Sequence, residues 1–157
     1  MLNKIISGGQ TGVDRAALDA ALRLDFSCGG WCPKGRRAED GPISPAYPLE
    51  ETPTREYAER TRWNVRDADG TLILCPGPPT GGTELTIVFA KLEGRPCLTL
   101  DLNQPVTIEP ILHWIKTHDI RTLNSAGPRE STAPGVYQQT VNVMESLLSH
   151  NTINKHG

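Results

Sequence analysis

Short apolar runs alternate along this chain with longer stretches in which apolar residues recur at helical spacing, and that alternation predicts the fold class. Lys4 to Ser7 reads as a strand, Val13 to Leu24 as an Ala- and Leu-rich helix, and a second short strand ends near Gly29-Gly30. Thr71 to Cys75 is apolar nearly throughout, as a strand covered on both faces is. Glu84 to Leu92 reads as a helix stopped by Gly94 and Pro96, and Cys97 to Leu102 as the next strand. Ile108, Ile111, Leu112 and Ile115 share one face of a helix over 108–118. Thr122 to Ser125 gives a last strand and Val136 to Leu148 a last helix. The series predicts an α/β domain with a mainly parallel sheet of about five strands and helices on both faces.

Between Trp31 and Pro53 the pattern stops. Pro33, Pro42, Pro45, Pro48 and Pro53 with Gly35 and Gly41 forbid a helix of any length there. A long ordered loop in a small domain is usually functional. Thr54 reads as the N-cap of a helix reaching about Arg66. The polar stretch Asn151 to Gly157 reads as a frayed tail, which leaves residues 1–150 as a single domain.

Three glycine-bearing turns follow strands directly: Ser7-Gly8-Gly9-Gln10-Thr11-Gly12, Pro76 to Thr83, and Ser125-Ala126-Gly127-Pro128-Arg129-Glu130-Ser131. In a parallel sheet the carboxyl ends of the strands share one edge, so the three turns converge there and form one anion site. Glycine lets backbone N–H groups face an oxyanion, and a following helix adds unpaired N–H groups and its positive dipole end. In the first turn Gly8, Gly9, Gln10, Thr11 and Gly12 are the candidates, with Arg15 available for phosphate and Asp14 for a cap or a ribose hydroxyl. In the second they are Thr80, Gly81, Gly82 and Thr83. Walker A is excluded, because no Gly-Lys-Ser/Thr occurs. In the third, Gly127, Ser131 and the planar fork of Arg129 suit an anion. Lys34 and Arg36, in the long loop, are two further candidate charges, and Trp31 and Tyr47 flank them as rings able to stack on a flat ligand or to pack the loop down.

Composition narrows this picture. The chain has 157 residues, 37% of them hydrophobic, enough for one core. With 16 basic and 18 acidic residues the net charge is −2, which provides no global field for nucleic acid or an anionic membrane. No apolar run approaches the roughly 20 residues of a membrane span, and Lys4-Ile5-Ile6 leads straight into a turn rather than a signal-peptide core. A cytoplasmic location is expected. Cys28, Cys32, Cys75 and Cys97 form no CxxC pair, and the closest two lack a second pair at zinc-site spacing, so no metal site is expected.

Ser7 to Leu18, the run Gly-Trp-Cys-Pro-Lys-Gly-Arg-Arg-Ala-Glu-Asp-Gly from Gly30 to Gly41, Tyr47 to Thr52, and Gly81-Gly82-Thr83 together resemble the molybdenum carrier family. That family is the circularly permuted YpsA-like branch of the SLOG superfamily. The resemblance extends to about Leu148 and implies a Rossmann-like three-layer sandwich, nucleotide-related ligands and homo-oligomers, dimer or tetramer. The family name implies binding of the molybdenum cofactor, a pterin carrying a phosphate and a metal dithiolene. A sister branch of phosphoribohydrolases cleaves nucleoside monophosphates through Pro-Gly-Gly-x-Gly-Thr-x-x-Glu. Here Glu84 follows Thr83 at once and no acid stands three places after it. The resemblance therefore implies a non-catalytic binder of a phosphorylated heterocycle. The alternatives are a nucleotide N-glycosidase using Glu84 or Asp14, and a sensor of a nucleotide-derived signal.

Overall fold

The computed structural model describes residues 1–156, with side chains through Asn151. The first half of the chain forms β1 (Lys4–Ile6), α1 (Val13–Arg23), β2 (Cys28–Gly29), β3 (Trp31–Cys32), β4 (Glu50–Glu51) and α2 (Tyr57–Asp67). The second half forms β5 (Gly70–Cys75), α3 (Gly81–Leu92), β6 (Cys97–Asp101), α4 (Glu109–Thr117), β7 (Thr122–Ala126) and α5 (Val136–His156).

Five strands make one parallel sheet in the order β2-β1-β7-β5-β6, with helices around it, a Rossmann-like α/β fold. The apolar run of β5 is buried along its whole length because β7 and β6 flank it and both faces are covered. Leu72 and Leu74 join the main core with Ala17 of α1, Ile111 of α4, and Met144 and Leu147 of α5. Side chains alternate along a strand, so Thr71 and Ile73 face the other layer, where α2 and α3 pack together. A smaller core of Leu18, Cys32, Ala38, Ile43 and Leu49 sits beneath the proline-rich loop.

The last strand in sequence lies in the middle of the sheet. β7 pairs with β1, Ile5 opposite Leu123, and with β5, Leu72 opposite Ser125. The neighbourhood of Leu2 is joined to the last helix: Leu2 N donates to Asn151 Oδ1 at 3.2 Å, and Asn151 Nδ2 donates to Leu2 O at 3.3 Å.

Local chemistry moves several expected boundaries. Helix α2 begins at Tyr57, three residues after Thr54, whose Oγ1 instead accepts from Glu56 N at 3.3 Å in a turn of its own. Helix α3 begins at Gly81 rather than Glu84, since Thr80 O already accepts from Thr83 N and Glu84 N. The glycine pair is thus the helix's first turn. The long loop contains no helix, but its two ends form β3 and β4, which pair in parallel. The helix expected to close at Leu148 continues as α5 to His156, and Asn151, expected in the tail, is buried; Gly157 lies outside the described residues.

Candidate functional site

Where β1, β5 and β7 end, the chain leaves the sheet at Gly8, Pro76 and Gly127, and these residues line a cavity of about 450 Å³. That volume is within the roughly 300–1,000 Å³ usual for small-molecule sites. The layer of α2 and α3 supplies its outer wall, through Tyr57, Arg60, Thr61 and Asn64 on one side and Thr80 to Thr83, Leu85 and Thr86 on the other.

The first turn is a closed structure. Arg60 crosses Gly8: its Nη1 donates to Gly8 O at 3.0 Å, and a Cβ on Gly8 would lie 2.4 Å from Arg60 Cδ. Gly12 has φ +80°, and a Cβ there would lie 2.4 Å from Pro128 O, because the third turn packs directly on it. Val13 N, at the start of α1, donates to that same Pro128 carbonyl. Thr11 N donates to Gln10 Oε1 and Gly9 N to Ser7 Oγ. Arg15 is turned away from the cavity; its guanidinium donates to Gly9 O and to both oxygens of Asp40.

Glu39 ties the first turn to the third. It accepts from the hydroxyls of Thr11 and Ser131 and from Ser131 N, and Arg129 Nη1 stands 3.7 Å away. Desolvation opposes its ionisation, yet these hydrogen bonds hold its carboxyl below the usual range. Glu130 does not pair with Arg129; it accepts from Gly135 N at 2.6 Å and Tyr137 N at 2.9 Å at the start of α5.

The second turn is open. No side chain caps α3, and Cβ atoms built on Gly81 or Gly82 would meet nothing within 4 Å. Gly81 has φ +53°, which favours glycine for backbone reasons, but Gly82 has no such requirement. The free first turn of α3 therefore presents N–H groups and the helix dipole to an empty approach.

Two cations face the cavity. Arg60 is 7% exposed and stands 3.6 Å from Asp14 Oδ2, while Arg129 lines the opposite rim. Both guanidiniums approach the Tyr57 ring, at 5.2 and 5.3 Å from its centroid, and Arg37 covers it at 4.3 Å. Burial pushes the Asp14 carboxyl up to about 6 despite the opposing charge of Arg60 and a hydrogen bond from Gln10 N. Burial likewise lowers Arg60. Gln10 is 5% exposed; its Oε1 accepts from Thr11 N and Glu39 N, and its Nε2 has no partner among the described residues.

Of the residues expected at an anion site, the structure brings Gly8, Gln10, Asp14, Thr80, Gly81, Gly82, Thr83, Gly127 and Arg129 to the cavity wall. Gly9, Thr11, Gly12, Arg15, Ser131 and Glu84 stand outside that wall, and so do Lys34 and Arg36. Lys34 is exposed in the long loop. Arg36, at φ +54°, donates to the carbonyls of Ile43, Ser44, Tyr47 and Leu49 and so organises that loop from within. Tyr47 and Trp31 also anchor the loop: Tyr47 donates to Asp19 at 2.6 Å, and Trp31 donates to Asp67 at 2.8 Å while packing edge-on against Trp63 at 4.8 Å. Sequence reasoning left Arg60 and Asn64 unassigned and passed over Tyr57 and Asn124. The signal available for the α2 residues was the i, i+3, i+7 spacing of Tyr57, Arg60 and Asn64, which puts them on one helix face.

Fold and cavity together define a Rossmann-like α/β protein with a small-molecule-sized cleft at the carboxyl edge of its sheet. The chain belongs to the circularly permutated YpsA SLOG family, whose pattern it matches over residues 5–148. Among solved structures it is similar to one from Syntrophus aciditrophicus SB described as "Putative molybdenum carrier protein". The two share 47% identity and a TM-score of 0.89, over 94% of this chain and 95% of that one. Among curated proteins nothing matches. The central position of β7, the last strand in sequence, agrees with a permuted order of elements.

Proposed function

We propose that this chain is a molybdenum cofactor carrier, a cytoplasmic homo-oligomer that holds a phosphorylated, nucleotide-like or pterin ligand without transforming it. The observation that carries the reading is the uncapped start of α3, where Gly82 is glycine although no protein atom lies within 4 Å of the place a Cβ would take. A phosphate there takes N–H groups of Gly81 and Gly82 and the hydroxyl of Thr80 or Thr83, with Arg60 and Arg129 supplying opposite charge. The ring then lies along the wall formed by Tyr57, Asn64 and Asn124. The donor set fits the phosphate end of the cargo. At the metal end the cavity offers Cys75, whose thiol burial keeps protonated, and no cluster of His, Cys, Asp or Glu suited to a metal occurs among the described residues. The carrier role thus consists of anion capture and enclosure rather than protein ligation of molybdenum.

One observation favours a second reading, an N-glycosidase acting on a nucleotide. Asp14, buried in the cavity with its carboxyl raised to about 6, has the protonation behaviour of a general acid or base. Glu84 offers less, being exposed and off the cavity wall.

Thermal shift against molybdenum cofactor, AMP and GMP, with product analysis of every hit, separates the two. Stabilisation of about 2.7 kcal/mol at a hundredfold excess over Kd, with the ligand recovered intact, supports the carrier. Free base released from AMP, and lost in Asp14→Asn, replaces it with the hydrolase. No shift with any of the three sinks both readings.

A further inference from the structure

Helix α3 carries apolar residues on its outer side as well as on the sides that pack against the domain, and an apolar stripe on a helix is normally covered. Thr83, Thr86 and Ala90 are buried against the domain. On the opposite side Val88 is 45% exposed and Leu92 is 65% exposed, with Leu85 half-buried beside them. Leu85, Val88 and Leu92 follow i, i+3, i+7 spacing and form one apolar seam. Glu84 and Lys91 are both exposed and lie along the same flank of that seam, near its two ends. Neither side chain has a partner among the described ion pairs.

This arrangement is self-complementary in one direction only. When two identical helices pack antiparallel, like flanks meet, and the acid near one end of each helix comes level with the base near the other end of its partner. Centred on Val88, the pairing sets Val88 against its own symmetry mate, Leu85 against Leu92 of the partner subunit, and Glu84 against Lys91 of the partner subunit. A parallel pair brings opposite flanks together and leaves both charges unmatched. We infer that the exposed face of α3 is a two-fold interface for a second copy of this chain, packed antiparallel about Val88 with two reciprocal Glu84–Lys91 ion pairs.

The inference deepens the oligomeric part of the proposed function without depending on the ligand. It also has a consequence for the cavity. The seam extends to Gly81, so the partner's helix end lies at the rim that α3 gives to the cleft.

Sedimentation equilibrium on the full chain tests it, with circular dichroism confirming the fold of each variant. Wild type should be dimeric at high micromolar concentration. Val88→Asp, at an exposed position, should be monomeric with unchanged secondary structure. Glu84→Lys and Lys91→Glu, each placing like charges across the axis twice, should weaken the dimer about tenfold. The double variant carrying both exchanges should return to near wild-type affinity. A monomeric wild type overturns the inference. A dimer indifferent to Val88→Asp overturns the surface, and single charge variants left unrescued by the double overturn the antiparallel register. Loss of ligand binding without any change in these association constants would count against the proposed function alone.

Discussion

The first and second glycine turns look alike in sequence and differ in what surrounds them. Gly8, Gly9 and Gly12 are glycine because protein atoms press on them: Arg60, the side chains of Leu49 and Ile43, and the Pro128 carbonyl all lie within 3 Å of where a Cβ would be. Gly81 and Gly82 face nothing within 4 Å. The first turn uses its polar groups to fasten α1, the third turn and the long loop to one another. The second leaves the start of α3 uncapped. A glycine motif is therefore structural where it is crowded, and a candidate for ligand approach where it is empty.

The largest expected effect lies in the crowded turn. Arg60→Met removes both the cation beside buried Asp14 and a hydrogen bond to Gly8 O, and should cost about 2–4 kcal/mol at neutral pH, the charge part being limited because Asp14, already raised to about 6, takes up a proton. Urea unfolding reads it directly. Adding Asp14→Asn should recover the charge part of the loss; equal stability of the single and double variants would mean that Arg60 acts by packing over Gly8 rather than by charge. Gly12→Ala should follow at about 2–4 kcal/mol, summing the strain of alanine at φ > 0 with overlap against backbone that cannot retreat. A variant as stable as wild type would show that the third turn yields easily, and the distinction between the turns would lose its basis.

Asp14 makes the same region pH-dependent. Burial raises its folded carboxyl to about 6 from an ordinary 3.8. Between these values the folded state binds more protons than the unfolded state, so this group's contribution falls as pH rises, by about 3 kcal/mol across the window, and is flat above it. Asp14→Asn should abolish that slope in denaturant midpoints measured from pH 4 to 7. An anion bound beside Asp14 favours its protonated form further, so affinity for a phosphorylated ligand should decline as pH passes through about 6. Affinity constant over that range would place the phosphate away from Asp14.

The order of elements was legible because apolar runs, prolines and glycines act locally, and the three turns were found for that reason. The position of β7 between β1 and β5 was not, since it depends on pairings 50 to 120 residues apart, such as Ile5 with Leu123 and Leu72 with Ser125. Charges were the hardest to read. Arg36 and Arg15 have the composition of anion ligands in a glycine-rich setting, yet one satisfies four loop carbonyls and the other pairs with Asp40. Arg60 and Asn64 have the appearance of a helix's solvent face, and they are buried because α2 lays that face over the first turn, at Gly8, and over β3, at Trp31. A cation's partner is a tertiary property, and only folding reveals whether it is a carbonyl or a ligand.

The smallest expected change in stability separates the two turns most sharply. Gly82 sits in the first turn of α3 with no left-handed φ and no neighbour to obstruct a methyl group. Alanine is the better helix former by up to about 1 kcal/mol in a helix interior, and less in a first turn. Gly82→Ala should therefore leave stability unchanged or raise it slightly, whereas the same exchange at Gly12 is costly. If the open turn exists to admit an oxyanion, this harmless methyl group occupies the approach to its N–H groups, and affinity for a phosphorylated ligand should fall about tenfold or more. Gly81→Ala at φ +53° is the control, because it combines the same loss of affinity with about 1 kcal/mol of backbone strain. Calorimetric titration and urea midpoints on the same two variants decide the matter. A Gly82→Ala protein that is more stable and still binds at full strength would show that the emptiness around the second turn has nothing to do with the ligand.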